Sequence, residues 1–566
     1  MAALDPISGA LGVKRAAHLL RRTTFGATKE QIDQFAAKTI GQAITDLFQA
    51  VTDPPLPKDP KTSATWLPLA GTNNSTEGEL KGVFLSWWNA QMYHSGMNIR
   101  EKMTYFLHTH FTTIQSRVDH SAGLYYQIAL YRKYALGDFK ELAKKVCLDN
   151  AMILNLDCHL NEKGLPQENY AREFLELYTI GKGIQIADGN YTNYTETDIR
   201  EAAKVLSGYD YDNQYNNIDP DTNFPRAKIK AANQNLTTTA SRHDAGVKRF
   251  TAAFQSRTIQ PPTNMVSGGL ATIEGVYDEL NQLVNMIFDQ QETAKYICRK
   301  LYRFFVYYKI TDYIENNVIV PLANTFRSNN YQLQPVLQQL LQSQHFFDED
   351  TNLQSEDDKL GAIIKSPLEL VISAMRFFKV TMPNPDTQPT EYHTGAFQNF
   401  QEFFQQQGMN FYEPFDVAGY EAYHQVPNYH RNWISSNYLG QRYKFGERLL
   451  KGQNASGATA NFKLDVIEFF KTNPKIATDP QGMVNELLEY LLPFANMTVA
   501  PPGSYPQNIP SERTDDFYTL LRDAGTFTDW ITDWNAAVAS NNYAAVKIRL
   551  ENLVKGILQS PEFQLQ

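Results

Sequence analysis

The spacing of apolar residues constrains the fold most, because it repeats with the period of an α-helix along most of the chain. Within residues 100–113 an i, i+3, i+4, i+7, i+8 pattern is formed by Met103, Phe106, Leu107, His110 and Phe111. The polar–apolar alternation that is typical of strands is scarce and short. The sequence therefore predicts an all-α fold: a large multi-helix globular domain with long irregular loop insertions and few or no strands.

Breaks in this periodicity predict the organisation of the chain. Helical spacing recurs over residues 168–181, 198–208, 277–288, 292–305 and 367–378. Thr195 and Asp198 have the spacing of a capping box. A polar insertion at about 210–270 interrupts the pattern. We expect a main helical domain over 1–380 and a C-terminal helical part over 381–566 packed on it, forming one continuous domain.

Composition excludes several classes of function. The net charge of −9 disfavours nucleic acid as a partner, because phosphate binding needs clustered Lys and Arg. The basic pairs Lys14-Arg15 and Arg21-Arg22 are expected on the solvated side of the first helix. The three cysteines form no Cys-x-x-Cys pair, which indicates buried free thiols. No apolar run is long enough for a transmembrane segment, and the start lacks a signal peptide, so the chain taken literally is cytoplasmic.

The densest polar segment with helical spacing runs from 167 to 177. On a helix, one face would carry Asn169, Arg172, Glu173 and Glu176. Two carboxylates three residues apart can share a metal ion. The alternative is a solvated face joined by an Arg172–Glu176 ion pair, and spacing alone favours this alternative.

Two further segments contain histidine. His108 and His110 diverge by about 200° on a helix, so they cannot easily bind one ion together. His110 lies in the apolar stripe and His108 does not, and a core-facing histidine is more often a packing residue than a ligand. His243-Asp244 follows irregular chain, where Asp244 could orient the imidazole of His243 or form an Asx turn instead.

A fourth segment, residues 415–433, is dense in aromatic and histidine residues on irregular chain. Such residues indicate either the wall of a pocket or a loop packed on the helices, and the sequence favours neither.

These segments, in this order, resemble the bacterial family designated domain of unknown function 1800. The resemblance covers residues 15–26, 100–111, 149–154, 164–173, 194–198, 416–420 and 432–436, and includes the Glu-Asn-x-x-Arg-Glu and His-x-His motifs. The family usually has Trp at the positions of Leu107, Tyr209 and Tyr420, and Asn at that of Gln167.

The resemblance implies an all-helical fold and no settled activity. Relatives are often encoded beside a companion family that looks like phosphatases and sulfatases. This implies a periplasmic or cell-surface location, with such a companion as partner. The resemblance also changes the interpretation of the polar segment at 167–177. A functional site and a buried polar network that fixes the fold are then equally favoured.

Two hypotheses follow. The first is a metal- or carboxylate-dependent hydrolase of the cell envelope. Its catalytic residues would be Asn169, Arg172, Glu173, Glu176, His243 and Asp244. Its divalent metal would be bound by His108, His110, Glu173 and Glu176. The second is a non-catalytic envelope or assembly protein that binds a protein partner or a glycan through the loops at 210–240 and 411–433.

Overall fold

The first half of the chain is helical, as a computed structural model shows. The structure describes residues 3–67, 75–230, 239–350, 363–452, 454–455, 458, 462–493 and 511–566. The helices up to residue 205 are α1 (Gly12–Thr23), α2 (Lys29–Ala36), α3 (Ile40–Leu47), α4 (Glu77–His94), α5 (Arg100–His110), α6 (Gln115–Val118), α7 (Ser121–Tyr134), α8 (Phe139–Val146), α9 (Asn150–Asn155), α10 (Asn169–Glu173) and α11 (Glu196–Val205).

The second half is also helical, which confirms the all-α prediction. Its helices are α12 (Ile273–Phe288), α13 (Gln291–Phe305), α14 (Asp312–Ile314), α15 (Val320–Ser328), α16 (Leu333–Leu341), α17 (Pro367–Phe377), α18 (Pro389–Glu391), α19 (Gln398–Gln406), α20 (Glu421–His424), α21 (Ser436–Lys451), α22 (Val466–Lys471), α23 (Pro480–Leu491), α24 (Ser511–Arg522), α25 (Phe527–Ser540) and α26 (Ala544–Gln559). Turns of π-helix cover Phe174–Thr179, Glu315–Ile319 and Tyr392–Phe397.

The strands of the described chain are short and lie between α10 and α12, close to the predicted insertion. They form four antiparallel two-stranded ribbons: β1 (Gln185–Ala187) with β2 (Asn190–Tyr191), β3 (Tyr209–Asp210) with β4 (Lys228–Ile229), β5 (Lys248–Arg249) with β6 (Thr258–Ile259), and β7 (Val266–Ser267) with β8 (Leu270–Ala271). Residues 231–238 of the predicted insertion lie outside the described residues.

Side-chain caps begin many of the helices. The predicted capping box is confirmed: Asp198 accepts hydrogen bonds from the backbone N–H and the hydroxyl of Thr195, at 2.9 and 2.8 Å. Five further boxes, at Thr28, Thr39, Thr76, Ser366 and Thr526, begin α2, α3, α4, α17 and α25. Each box satisfies backbone N–H groups that a helix leaves without partners, so these helix starts are encoded locally.

One continuous cluster of buried apolar side chains extends from Ala3 to Phe563. From Glu101 to His110, α5 is buried on every side, including the charged residues Glu101 and Lys102. Arg132 pairs with Glu101, and Glu369 pairs with Lys102, so neither charge is left unmatched. Both His108 and His110 are therefore interior, and the expectation that His108 lies off the buried face is wrong.

The first helix also differs from expectation. Arg22 is buried, with 1% of its surface exposed, and its Nη1 donates to Val306 O at 3.2 Å. The prediction that this basic pair lies on a solvated face is therefore wrong for Arg22. The cysteines are buried and free, as predicted. In the described chain, no helix is both long enough and apolar enough to span a membrane.

Candidate functional site

The segment with the Glu-Asn-x-x-Arg-Glu motif is a short α-helix that continues as a π-helix. α10 ends at Glu173, and the π-turns follow from Phe174 to Thr179. Arg172 does not pair with Glu176. Its guanidinium binds both carboxylate oxygens of Glu196 on α11, at 2.6 and 2.8 Å. Arg172 therefore joins two helices, and the predicted Arg172–Glu176 pair is absent from this described segment.

Two further residues of the predicted polar face, Glu176 and Asn169, differ in how firmly they are held. Glu176 lies 2.5 Å from Lys182 Nζ and accepts a hydrogen bond from the Tyr194 hydroxyl at 3.2 Å. Within the described chain, the side chain of the exposed Asn169 forms one long hydrogen bond, 3.5 Å to Leu156 O. Asn169 is thus free to meet a ligand, whereas the carboxylate of Glu176 is held in place.

Glu173 is the exception among these carboxyl groups. It is half-buried, and its carboxylate has neither a hydrogen bond nor an ion pair with any residue that the structure describes. Burial raises the pKa of Glu173 to about 7, and the negative charges of Glu176 and Asp416 add to the effect. A carboxyl group that titrates near neutrality can both take up and release a proton at physiological pH.

The two histidines of α5 have different surroundings. His108 is enclosed by the rings of Trp88 and Tyr412, at centroid distances of 5.1 and 4.3 Å, and neither ring nitrogen has a partner in the described structure. The Nε2 of His110 lies 2.9 Å from Tyr178 O, on the π-helix. Burial lowers the pKa of each histidine to about 3, so both rings are neutral.

Three of the sequence segments converge at this place. The contact between His110 and Tyr178 joins α5 to the carboxylate segment. The 416–420 turn packs against the end of α5, where a Cβ on Gly419 would lie 2.6 Å from Thr112 Oγ1, with φ at +99°. Only glycine accommodates this approach and this backbone conformation. The turn also brings Asp416 within electrostatic reach of Glu173.

His243 belongs to a separate buried cluster. Its Nε2 lies 2.5 Å from Glu279 Oε2, its Nδ1 lies 2.8 Å from Ser207 O, and Lys248 binds the other oxygen of Glu279. Both ring nitrogens face oxygen acceptors, so neither is available to a metal ion or a substrate. Glu279, rather than Asp244, orients the ring.

Asp244 instead accepts a hydrogen bond from Gly246 N at 2.8 Å, which is the Asx-turn alternative. No hydrogen bond or ion pair in the described structure joins His243 or Asp244 to Glu173. The structure thus does not bring the predicted residues His243 and Asp244 together with the carboxylates.

A cleft lies beside the convergence of segments. Its lining includes Thr109 and His110 of α5, Lys300 and Arg303 of α13, and Tyr423 and His430. Tyr296, one turn before Lys300, lies within electrostatic reach of Glu173 and Glu176, so α13 runs from the carboxylates to the cleft. The aromatic segment at 415–433 forms one wall of this cleft. Of the two alternatives that the sequence left open, a pocket wall or a loop packed on the helices, the structure supports the pocket wall.

The predicted metal ligands do not form a preformed metal site. Among the described residues no three His, Cys, Asp or Glu side chains group so that they could hold a metal ion. His108 is enclosed by aromatic rings, and His110 directs Nε2 at a carbonyl oxygen. A set that joins these histidines to Glu173 and Glu176 would therefore require side chains to rearrange.

Sequence reasoning missed Glu279, Lys300 and Arg303 as site or partner residues, and it included Asp416 only as part of the aromatic segment 415–433. Lys300 and Arg303 fall on the predicted helix 292–305, three residues apart, which places both on one face. That spacing was the available signal, but it is equally typical of a solvated helix face. Both residues have contacts that are local in sequence, but the rest of the cleft lining comes from distant parts of the chain, so the pattern alone could not identify the cleft.

Comparison with known proteins identifies the family. The profile of the family described as protein of unknown function (DUF1800) matches residues 18–565, nearly the whole chain. No curated protein and no solved structure gives a significant match. The chain therefore belongs to the DUF1800 family, as its sequence motifs predicted.

Proposed function

We propose that the protein is a carboxylate-dependent hydrolase in which Glu173 is the general acid and base. The observation that supports this most is the half-buried Glu173 carboxyl, whose pKa is raised to about 7 and which has no partner among the described side chains. Strongly shifted carboxyl groups beside a cleft are typical of active sites. Glu173 also lies where the motif segments meet.

The neighbouring residues have distinct roles in this proposal. Glu173 takes a proton from water and returns it to the leaving group. The pKa of Glu173 is raised mainly by burial, and Glu176, held by Lys182 and Tyr194, adds to this effect with its negative charge. Arg172 is a positioning residue, because its bond to Glu196 fixes α10 against α11. Asn169 is free to contact substrate.

The geometry favours carboxylate chemistry over metal chemistry. The donor atoms that a shared ion would need are not grouped in the described chain. Elemental analysis of protein purified without a chelator tests the metal form directly. A metal ion that is present at near-stoichiometric amount in the wild type and lost in Glu173→Ala would support a metal-dependent hydrolase instead.

The acid–base role is tested first by a screen with chromogenic carboxylic esters, phosphate esters and glycosides. Variants of the protein are then assayed with the substrate that the wild type hydrolyses. Glu173→Gln should lower kcat by about 10²–10⁴-fold, because it removes the proton-transfer group. The wild-type pH profile should have a limb with a midpoint near 7 that the residual activity of the variant lacks. Glu168→Gln is the matched control, since Glu168 precedes the same helix but already pairs with Arg172. Full activity in Glu173→Gln would contradict the proposal.

A second candidate function is the binding of a partner protein or a glycan. The observation that favours it is the exposure of two apolar side chains on the 411–433 segment, Phe415 (80% exposed) and Val426 (71%). A phosphatase- or sulfatase-like companion is the partner to test first. If this candidate is right, Phe415→Ser should abolish co-purification of the companion, whereas Glu173→Gln should leave it unchanged.

A further inference from the structure

The cleft beside the carboxylates combines apolar walls with a few polar groups. Phe304 and Trp433 form part of the walls, while His110, Lys300 and Arg303 bring the polar atoms. Clefts with this combination are the usual form of small-molecule sites in proteins. The polar groups therefore indicate the chemistry of the ligand.

Neither cation of the cleft lining, Lys300 or Arg303, is ion-paired within the described chain. Glu315, the carboxylate within electrostatic reach of Arg303, pairs with Arg299. Arg303 donates from Nε to Tyr308 O at 3.2 Å, and its guanidinium lies over the Tyr429 ring at 5.2 Å. Burial and the neighbouring Arg303 lower the pKa of Lys300 to about 8. Two like charges side by side in an acidic protein of net charge −9 indicate a site for an anion.

The carboxylate in the cleft lining, Glu369, does not neutralise these cations. It pairs with the buried Lys102, and its other oxygen accepts hydrogen bonds from the N–H and hydroxyl of Ser366, both at 2.8 Å. The buried Arg22 and Arg442 also lie within electrostatic reach of Glu369. The charges around Glu369 therefore sum to a net positive value.

Two histidines of the lining have unmet hydrogen-bonding capacity. His110 is neutral and its Nε2 must donate to Tyr178 O, which leaves Nδ1 as an acceptor with no partner in the described structure. His430 is neutral, and its Nδ1 accepts from Ile364 N at 3.2 Å, which leaves Nε2–H as a donor with no partner there. Buried polar atoms rarely remain unpaired unless a ligand or water meets them.

We propose that this cleft binds a small organic anion, with its carboxylate or phosphate group between Lys300 and Arg303 and its apolar body against Phe304 and Trp433. Further polar atoms of the ligand would meet the unpaired nitrogens of His110 and His430. The proposal does not depend on the catalytic role of Glu173, because that residue is not part of the cleft lining.

Isothermal titration calorimetry of the full chain tests the proposal, with phenyl phosphate, benzoate and the uncharged benzyl alcohol as probes. At least one of the two anions should bind with one site per chain, and benzyl alcohol should bind at least about tenfold more weakly, because it lacks the charge. A comparison of the two affinities shows whether the site prefers a phosphate or a carboxylate group. Glu173→Gln should retain the binding.

The variants Lys300→Gln and Arg303→Gln should each weaken anion binding by about tenfold or more. Lys295→Gln is the matched control, since it removes the same charge from α13 outside the cleft lining and should leave the affinity unchanged. If Arg303→Gln does not fold, the proposal is tested with Lys300→Gln and with the change in melting temperature that each anion causes. Phenyl phosphate or benzoate should raise the melting temperature of the wild type but not that of Lys300→Gln. Absence of binding by both anions at millimolar concentration, or equal weakening in Lys295→Gln, would overturn the proposal.

Discussion

At the scale of single residues, two glutamates of this protein show how the surroundings decide the role of a side chain. Glu369 is fully buried, yet Lys102 and Ser366 hold its pKa at about 2. Glu173 is less buried but lacks such partners, and its pKa rises to about 7. The first is a fixed negative charge that organises the core, whereas the second is a group able to exchange protons.

The raised pKa predicts that Glu173 destabilises the folded protein at high pH. Its folded pKa lies above that of the unfolded chain, so the protonated carboxyl stabilises the fold at acid pH and this contribution is lost as pH rises through 7. Glu173→Gln should therefore be more stable than the wild type at pH 8, by about 1–2 kcal/mol after allowance for solvent screening. Below the unfolded pKa the two should be equal. The measurement is the free energy of unfolding in urea at both pH values.

This prediction separates a functional site from a structural polar network. In a network, removal of the charge would strand hydrogen-bonding partners and lower stability at every pH. A Glu173→Gln variant less stable than the wild type at pH 8 would thus refute the functional interpretation. Glu168→Gln is again the control, since Glu168 is already paired with Arg172.

At the scale of elements, the sequence predicted helices well and their partners poorly. Helical spacing and the Thr195 box depend on residues close in sequence, and both are confirmed. Glu196, which accepts two hydrogen bonds from Arg172, lies 24 residues away in sequence, and Glu279 lies 36 residues from His243, so no local pattern could identify either partner. The π-helix after Glu173 follows no apolar period either, so the orientation of Glu176 could not be derived from helical spacing.

The buried cluster around Glu279 predicts how the ribbon segment is attached to α12. Glu279→Gln should lower the free energy of unfolding by about 3–5 kcal/mol, because it leaves the charge of Lys248 buried without a counter-charge. A Lys248→Met and Glu279→Gln double variant should recover part of the loss. Urea denaturation of the three proteins measures the effect.

The control is a more exposed ion pair that also joins the ribbon segment to α12, at the C-terminal end of the helix. Arg257→Gln breaks the ion pair with Asp289, in which both side chains are partly exposed, and should change stability by about 1 kcal/mol or less. A Glu279→Gln variant no less stable than Arg257→Gln would show that the cluster does not hold the segment, and would return His243 to consideration as a functional residue.

At the scale of the whole molecule, contacts cross the expected boundary at residue 380 in several places. Gln115 N donates to Tyr412 O at 3.0 Å, and the Tyr392 hydroxyl donates to Asn89 at 3.0 Å. Arg21 of α1 donates to Leu492 O at 3.0 Å, just after α23. The cleft is likewise built from residues on both sides of 380. In the described chain, the two parts therefore share one apolar core and one cleft.

These contacts predict that residues 1–380 do not fold alone. Without the C-terminal part, the Trp88 and His108 rings lose their contacts with Tyr412, and apolar surface of the shared core is exposed. The fragment should retain helical far-UV circular dichroism, lose the near-UV signal and bind a hydrophobic dye, as loosely packed states do. Co-expression with residues 381–566 should restore the near-UV signal and the anion binding. A fragment 1–380 that unfolds cooperatively with a native near-UV spectrum would instead establish two independent domains, and the cleft would then be an interface between them.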